Sequence, residues 1–392
     1  MSEIIEKPLN EIGCSFLSGF AFKSSDYSNK GIPLIKIGNI QNRVVTVDSN
    51  GDHISEELIN DRTKRFLLSN NDVLIAMTGQ GSVGRVGKLK LRNGDKAYLN
   101  QRVGKFLCDE VNVNKDYLYY ILTTNKYQDY LFNTGAGSGQ PNLSPELILK
   151  TEIPWVEYPE QTAIASILSS LDDKIDLLHR QNATLEKMAE TLFRQWFVEE
   201  AKEDWKISSL SEMANFLNGL ACQKFPPKNE IDKLPVLKIK ELSGGITENS
   251  DWASTEIKSE YIVKNGDIIF AWSASLMVKI WDGQDCILNQ HLFKVTSEHY
   301  PKWFYYLWCK YHLAEFISIA ESHATTMGHI KRSDLDEAKV LIPSSNELLF
   351  MTEKVEPLID KMSTNNIQIN TLTSLRDTLL PKLMSGEVRV EY

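Results

Sequence analysis

Residues 160–197 read EQTAIASILSSLDDKIDLLHRQNATLEKMAETLFRQWF. Apolar residues recur there in alternating steps of four and three: Ile164, Leu168, Leu171, Ile175, Leu178, Leu185, Ala189, Leu192 and Trp196. The polar member of the series is Asn182. A sustained a/d heptad of this kind predicts a long helix whose apolar stripe packs on a second helix. At 1.5 Å per residue the helix would run roughly 57 Å, beyond the needs of most globular cores. It contains neither Pro nor Gly, and Pro154 and Pro159 stand at its start.

The same rhythm returns over residues 347–383 in Met351, Val355, Leu358, Met362, Ile369, Leu372, Leu379 and Leu383, interrupted by Asn365 and Arg376. Antiparallel pairing with Asn182 facing Asn365 sets Ile175 on Leu372, Leu168 on Leu379, Leu185 on Met362 and Trp196 on Met351. Every apolar layer then meets an apolar layer, and the buried Asn pair fixes register at some cost in stability.

Between and before these helices the chain is written twice. FLSGFA at 16–21 returns as FLNGLA at 216–221, IPLIKIGNI at 32–40 as LPVLKIKEL at 234–242, and NDVLIAMTG at 71–79 as GDIIFAWSA at 266–274. YLNQRVGKF at 98–106 returns as ILNQHLFKV at 287–295, YLYYIL at 117–122 as WFYYLW at 303–308, and GQPNLSPELILKTEIP at 139–154 as GHIKRSDLDEAKVLIP at 328–343. A long helix follows each copy. Short strands (LIKI, VLIAM, VLKI, IIFAW) alternate with Gly/Ser/Asn-rich turns, then come a helix around the Tyr pair, a polar loop and a last strand. The expected fold is α+β: two similar mixed α/β domains, residues 1–157 and 201–344, joined by two long antiparallel helices, residues 158–200 and 345–392, in a pseudo-two-fold repeat.

Composition is that of a globular chain of 392 residues, 42% hydrophobic and 24% charged. The first ten residues lack a signal-peptide pattern and no apolar run reaches membrane-spanning length, so a cytoplasmic protein is expected. Five scattered cysteines show no zinc spacing and suit a reducing compartment. The net charge of −9 is unevenly shared. Residues 1–157 hold 18 basic and 18 acidic residues, and residues 201–344 hold 16 and 19. The helical segments hold 4 and 8, then 5 and 7, and so carry six of the nine excess negative charges. Near-neutral domains attract phosphate weakly on their own.

Gly79-Gln80-Gly81-Ser82-Val83-Gly84 satisfies GxGxxG, but RVGKLKL after it alternates like a strand, so a hairpin turn is expected and not a dinucleotide site. Phe225-Pro226-Pro227-Lys228 lacks the flanking residues of an amino-methyltransferase motif and reads as a rigid turn. No catalytic triad, metal motif or paired carboxylates stand out. Polar loops at equivalent places are the informative feature. The first half offers Thr78, Gln80, Ser82, Arg85, Asn100, Gln101, Arg102, Ser138, Gln140 and Asn142. The second offers Ser273, Ser275, Lys279, Asn289, Gln290, His291, Thr325, Thr326, His329, Lys331 and Arg332. Such side chains bond base edges and phosphates. For the shared Asn-Gln pair, turn capping stands as an equal alternative.

These stretches resemble the specificity (S) subunit of type I restriction-modification systems. The resemblance is carried by EQTAIASILSSLDDKIDLL, LEKMAETLFRQWF and SLRDTLLPKLMSGEVRV, by the loop and Ile-Pro before each helix, and by the FLxGxA and LNQ anchors. It implies two target recognition domains, each reading half of a split double-stranded DNA site, with the helices setting the spacing and docking two methyltransferase (M) subunits. Restriction (R) subunits would join outside. It implies no catalysis by this chain, no cofactor in it, and S-adenosylmethionine in the M partners. One departure is Asn346-Glu347 where the first helix has Glu160-Gln161. A methyltransferase with its own reader, or a coiled-coil scaffold whose domains bind protein, are the competing readings.

Overall fold

The computed structural model describes residues 5–48, 50–92, 94–136, 141–247, 249–322 and 328–390. The chain divides into two compact units, residues 1–174 with 373–392, and residues 175–372. The division falls inside both long helices, Tyr158–Arg194 and Ser345–Met384.

In the first unit the core sheet runs in the order Cys14–Ser18, Val103–Cys108, Val73–Ala76, Val86–Lys90, Val44–Thr46, Ile40–Gln41. A second sheet pairs Ile32–Ile35 parallel with Ala97–Leu99. Val73–Ala76 is buried on both faces, which its unbroken apolar sequence anticipates. The second unit repeats the order with Asn215–Asn218, Leu292–Thr296, Ile268–Ala271 and Met277–Ile280. Its parallel pair is Lys233–Leu237 with Cys286–Leu288. Helices Lys115–Leu122 and Lys302–Ser322 carry the Tyr pairs. The GxGxxG segment is the hairpin between Val73–Ala76 and Val86–Lys90, with Gly79, Gly81 and Gly84 at positive φ.

One anchor is corrected. Sequence matching sets Ile153-Pro154 on Ile342-Pro343, an offset of 189. The structure equates Leu9 N–H to Thr151 O (3.1 Å) with Leu210 N–H to Ala338 O (2.9 Å). Buried Ile153 therefore corresponds to buried Val340, and helix start Tyr158 to Ser345, each an offset of 187. A strand's alternation looks the same after a slip of two residues, so matching could not detect it.

Each of the four helix layers named from the heptads has both members in one apolar cluster. Ile175, Leu178, Ile369 and Leu372 form one in the second unit. Leu185, Trp196, Met351 and Met362 join that unit's main core, and Leu168 packs with Leu379, Leu380 and Leu383 in the first. The helices are therefore not independent rods, because each also supplies core to the domains. Asn365, fully buried, donates from Nδ2 to Asn182 Oδ1 at 2.9 Å, while Asn182 Nδ2 donates to Asn366 Oδ1 at 2.5 Å. Asn182→Leu alone strands the Asn365 amide and is expected to cost about 1–3 kcal/mol. Adding Asn365→Leu turns the layer apolar and recovers that loss. Thermal melts check this; additive losses would mean the two amides are not coupled.

Candidate nucleic-acid interface

In each unit the end of the central strand is tied to two further turns by the same backbone ladder. In the first, Met77 N–H bonds Arg102 O (2.9 Å), Leu143 N–H bonds Met77 O (2.8 Å), and Thr78 bridges Asn142. Gln101 N–H reaches Phe20 O at 3.0 Å. In the second, Trp272 N–H bonds His291 O (3.4 Å), Ile330 N–H bonds Trp272 O (3.1 Å), Ser273 bridges His329, and Gln290 N–H reaches Leu220 O at 2.8 Å. The turn position three residues past the strand is left-handed in both, Gly79 at φ 106° and Ala274 at φ 57°.

The Asn-Gln pair resolves into two roles. Asn100 and Asn289 are buried, and each Oδ1 accepts a backbone N–H two residues on, from Arg102 (3.1 Å) and His291 (3.3 Å). They build the turn. The residues they present are Gln101 and Arg102, both exposed, and Gln290 and His291, both half-buried. FLxGxA is explained by the same turn, because Gly19 and Gly219 lie against the carbonyls of Asn100 and Asn289.

Of the other expected contacts, Gln80, Asn142, Ser275 and Lys331 are exposed at this end and Ser82 is half-buried. Thr78 Oγ1 is buried without a hydrogen-bond partner. Arg85 donates to Gln41 Oε1 at 3.2 Å. Ser273 is buried and its Oγ lies 3.1 Å from His291 Nδ1, so it holds a neighbouring ring. Lys279 departs from expectation: it stands within Met277–Ile280, pairs with Asp282 at 3.1 Å and is not gathered with the turns. Arg332 donates to Phe216 O at 3.2 Å and its guanidinium lies over the Phe293 ring. Ser138, Gln140, Thr325 and Thr326 lie outside the described residues.

Sequence reasoning passed over Trp272, which stacks on Phe293 at 5.6 Å and lies beside His291 and His329. It also missed how each domain is fastened to the helix. Tyr120 donates to Asp172 Oδ2 at 2.8 Å, and Arg376 meets the other oxygen at 2.7 Å. The matching Tyr306 donates to Glu186 at 2.7 Å, with Lys310 at 2.5 Å from Glu186 and 2.7 Å from Glu190. Burial pulls the Glu186 carboxyl up, but the bonds from Lys310 and Tyr306 outweigh it and hold the group below its usual range. At the helix starts, Gln161 accepts from Asn114 N–H and donates to Asn112 O and Val156 O, while Glu347 accepts from Ser344 and Trp205 and pairs with Lys202. Glu347 thus does at its start what Gln161 does at the other. Among the described residues no group of His, Cys, Asp and Glu could hold a metal ion, and no helix is long and apolar enough to cross a membrane.

The family profile described as Type I restriction modification DNA specificity domain matches residues 1–187 and again residues 202–373. The type I restriction enzyme MjaIX specificity subunit of Methanocaldococcus jannaschii is 28% identical over 397 residues, covering 94% of this chain and 89% of that one. The HindI specificity subunit of Haemophilus influenzae is 19% identical over 368 residues, covering 72% and 80%. The crystal structure of an S subunit from M. genitalium has a TM-score of 0.57 at 16% identity, covering 97% of this chain and 96% of that one, and shows the shared fold. The chain belongs to the type I restriction-modification DNA specificity family and carries that family's domain twice.

Proposed function

We propose that each unit reads one half of a split double-stranded DNA target through the turns at the end of its central strand. The observation that carries this reading is the ladder: backbone geometry at the turns is the same in both units, while the side chains presented differ. Gln101, Arg102 and Asn142 stand in one, and Gln290, His291 and His329 in the other. A common frame with different polar side chains is what two readers of different base sequences require. The long helices set the half-site spacing and dock two M subunits, and R subunits join the same assembly. Adenine methylation with S-adenosylmethionine belongs to the M partners, in the cytoplasm, and this chain contributes recognition.

With domains near neutral and a chain charge of −9, phosphate neutralisation has to come largely from the partners. The isolated chain is expected to bind its target weakly at physiological salt, and the complex with M subunits to bind tightly and lose affinity steeply as salt rises. Titrating labelled target duplex with each, across a salt series, tests this. Nanomolar sequence-specific binding by the chain alone would show that it carries its own phosphate contacts.

A further inference from the structure

We propose that Cys14 and Cys108 form a dithiol that a small disulfide such as oxidised glutathione converts to a cross-strand disulfide, a modification site at the end of the strand ladder remote from the reading turns. The two residues are register partners in the antiparallel pair Cys14–Ser18 and Val103–Cys108. Their place in the hydrogen-bond alternation decides whether they can join. Asp109 N–H bonds Gly13 O at 2.9 Å, and at the other end Gly19 N–H bonds Val103 O at 3.0 Å. Hydrogen-bonded pairs therefore fall on Gly13, Ser15, Leu17 and Gly19, and Cys14 with Cys108 is a non-hydrogen-bonded pair. There the Cα atoms approach to about 4.5 Å and the side chains lie closer. That spacing is inside the range a disulfide spans.

Both side chains lie on the same face, Cys14 buried in the first unit's core and Cys108 packed at its margin. The neighbouring Cys14 thiol, and after it Lys115, pulls the Cys108 thiol below its usual range. The same contact, with burial, pushes Cys14 up. Cys108 is thus the more exposed and the better nucleophile. Its thiolate attacks one sulfur of oxidised glutathione, forming a mixed disulfide and expelling one glutathione thiolate. Cys14 then loses its proton and attacks Cys108 Sγ, expelling the second. Two protein thiols are oxidised, one glutathione disulfide is reduced to two thiols, and the two protons pass to them. The other three cysteines have no such partner: Cys286 faces Val263 in its register, and Cys222 and Cys309 lie on helical turns. Five residues of strand, about 16 Å, separate the pair from Gly19 and the turn it supports.

The test treats the reduced full-length chain with oxidised glutathione, counts remaining thiols after denaturation, and maps peptides without reduction. The expected result is loss of two of the five thiols, with the peptides of Cys14 and Cys108 joined and no glutathione retained. Cys14→Ser should stop at a stable glutathione adduct on Cys108. Retention of all five thiols in the parent chain, a glutathione adduct on Cys108 without the cross-link, or a cross-link to another cysteine would each overturn the proposal. The peptide map uses the parent chain, so misfolding of the variant cannot decide the outcome.

Discussion

Replacing Gly219 by alanine will dismantle the turn that presents Gln290 and His291 in the second unit and leave that of the first in place. A Cβ at Gly219 would stand 2.2 Å from Asn289 O, 2.5 Å from Asn289 C and 2.6 Å from Leu288 O. All three are backbone atoms of the turn, itself held by Leu220 N–H to Leu288 O at 2.9 Å and Gln290 N–H to Leu220 O at 2.8 Å. A flexible side chain could swing aside, but this backbone cannot move without breaking its own bonds. The overpacking should cost about 3 kcal/mol, a fall in melting temperature of about 6–12 °C for a unit of this size. Gln290 and His291 are displaced with the turn. If Gln290 and His291 read bases as proposed, losing two contacts at about 1–3 kcal/mol each weakens binding of the assembled complex by about 30-fold or more. The loss should vanish on duplexes whose second half-site is scrambled, because the contacts are already absent there. Gly19→Ala is the counterpart, with its Cβ 2.1 Å from Asn100 O, and should act on the other half-site. Gly244→Ala, where a Cβ meets nothing within 4 Å, should be near neutral. A Gly219→Ala chain that melts and discriminates like the parent would show that the turn does not depend on this close approach.

Exchange of residues 201–344 for the same region of a relative should replace one half of the target and preserve both the other half and the spacer. The specificity at stake is large: a specific site is bound about 10³-fold or more over a non-specific one, and that preference moves to the new half-site. Cores set a condition on the donor. Ala189, Phe193, Phe197, Met351, Val355, Ile359 and Met362 of the retained helical segments are buried in the second unit's core. A donor domain has to fill the same volume against them, or the exchange will cost stability before it changes specificity. Tyr306 and Lys310 of the exchanged region also need Glu186 and Glu190 of the retained helix. Mapping methylated adenines in cells carrying the hybrid with its M partner reads both halves and the spacer at once. A change in both half-sites from the single exchange would mean that the units do not read independently.

Local periodicity made most of the architecture legible without coordinates. The a/d series named both long helices, and the one asparagine in each seam set the register that Asn365 and Asn182 adopt at 2.9 Å. Repeated anchors gave two like domains, and short apolar runs gave strands in each, without their order in the sheet. Each of these properties is written in residues close together in the chain, or in two patterns that match at one register only. What the tertiary structure decided lies between residues far apart. It separated Asn100 and Asn289, which build the turns, from the Gln, Arg and His they present. It drew Lys279 away to Asp282 and placed Trp272 among the histidines. It supplied the Tyr120–Asp172 and Tyr306–Glu186 ties, moved one anchor by two residues, and set Cys14 opposite Cys108. A strand's pattern has a period of two and is blind to a slip of two, and a loop's sequence does not state which distant loop it meets. Only the closed hydrogen-bond ladder determines both.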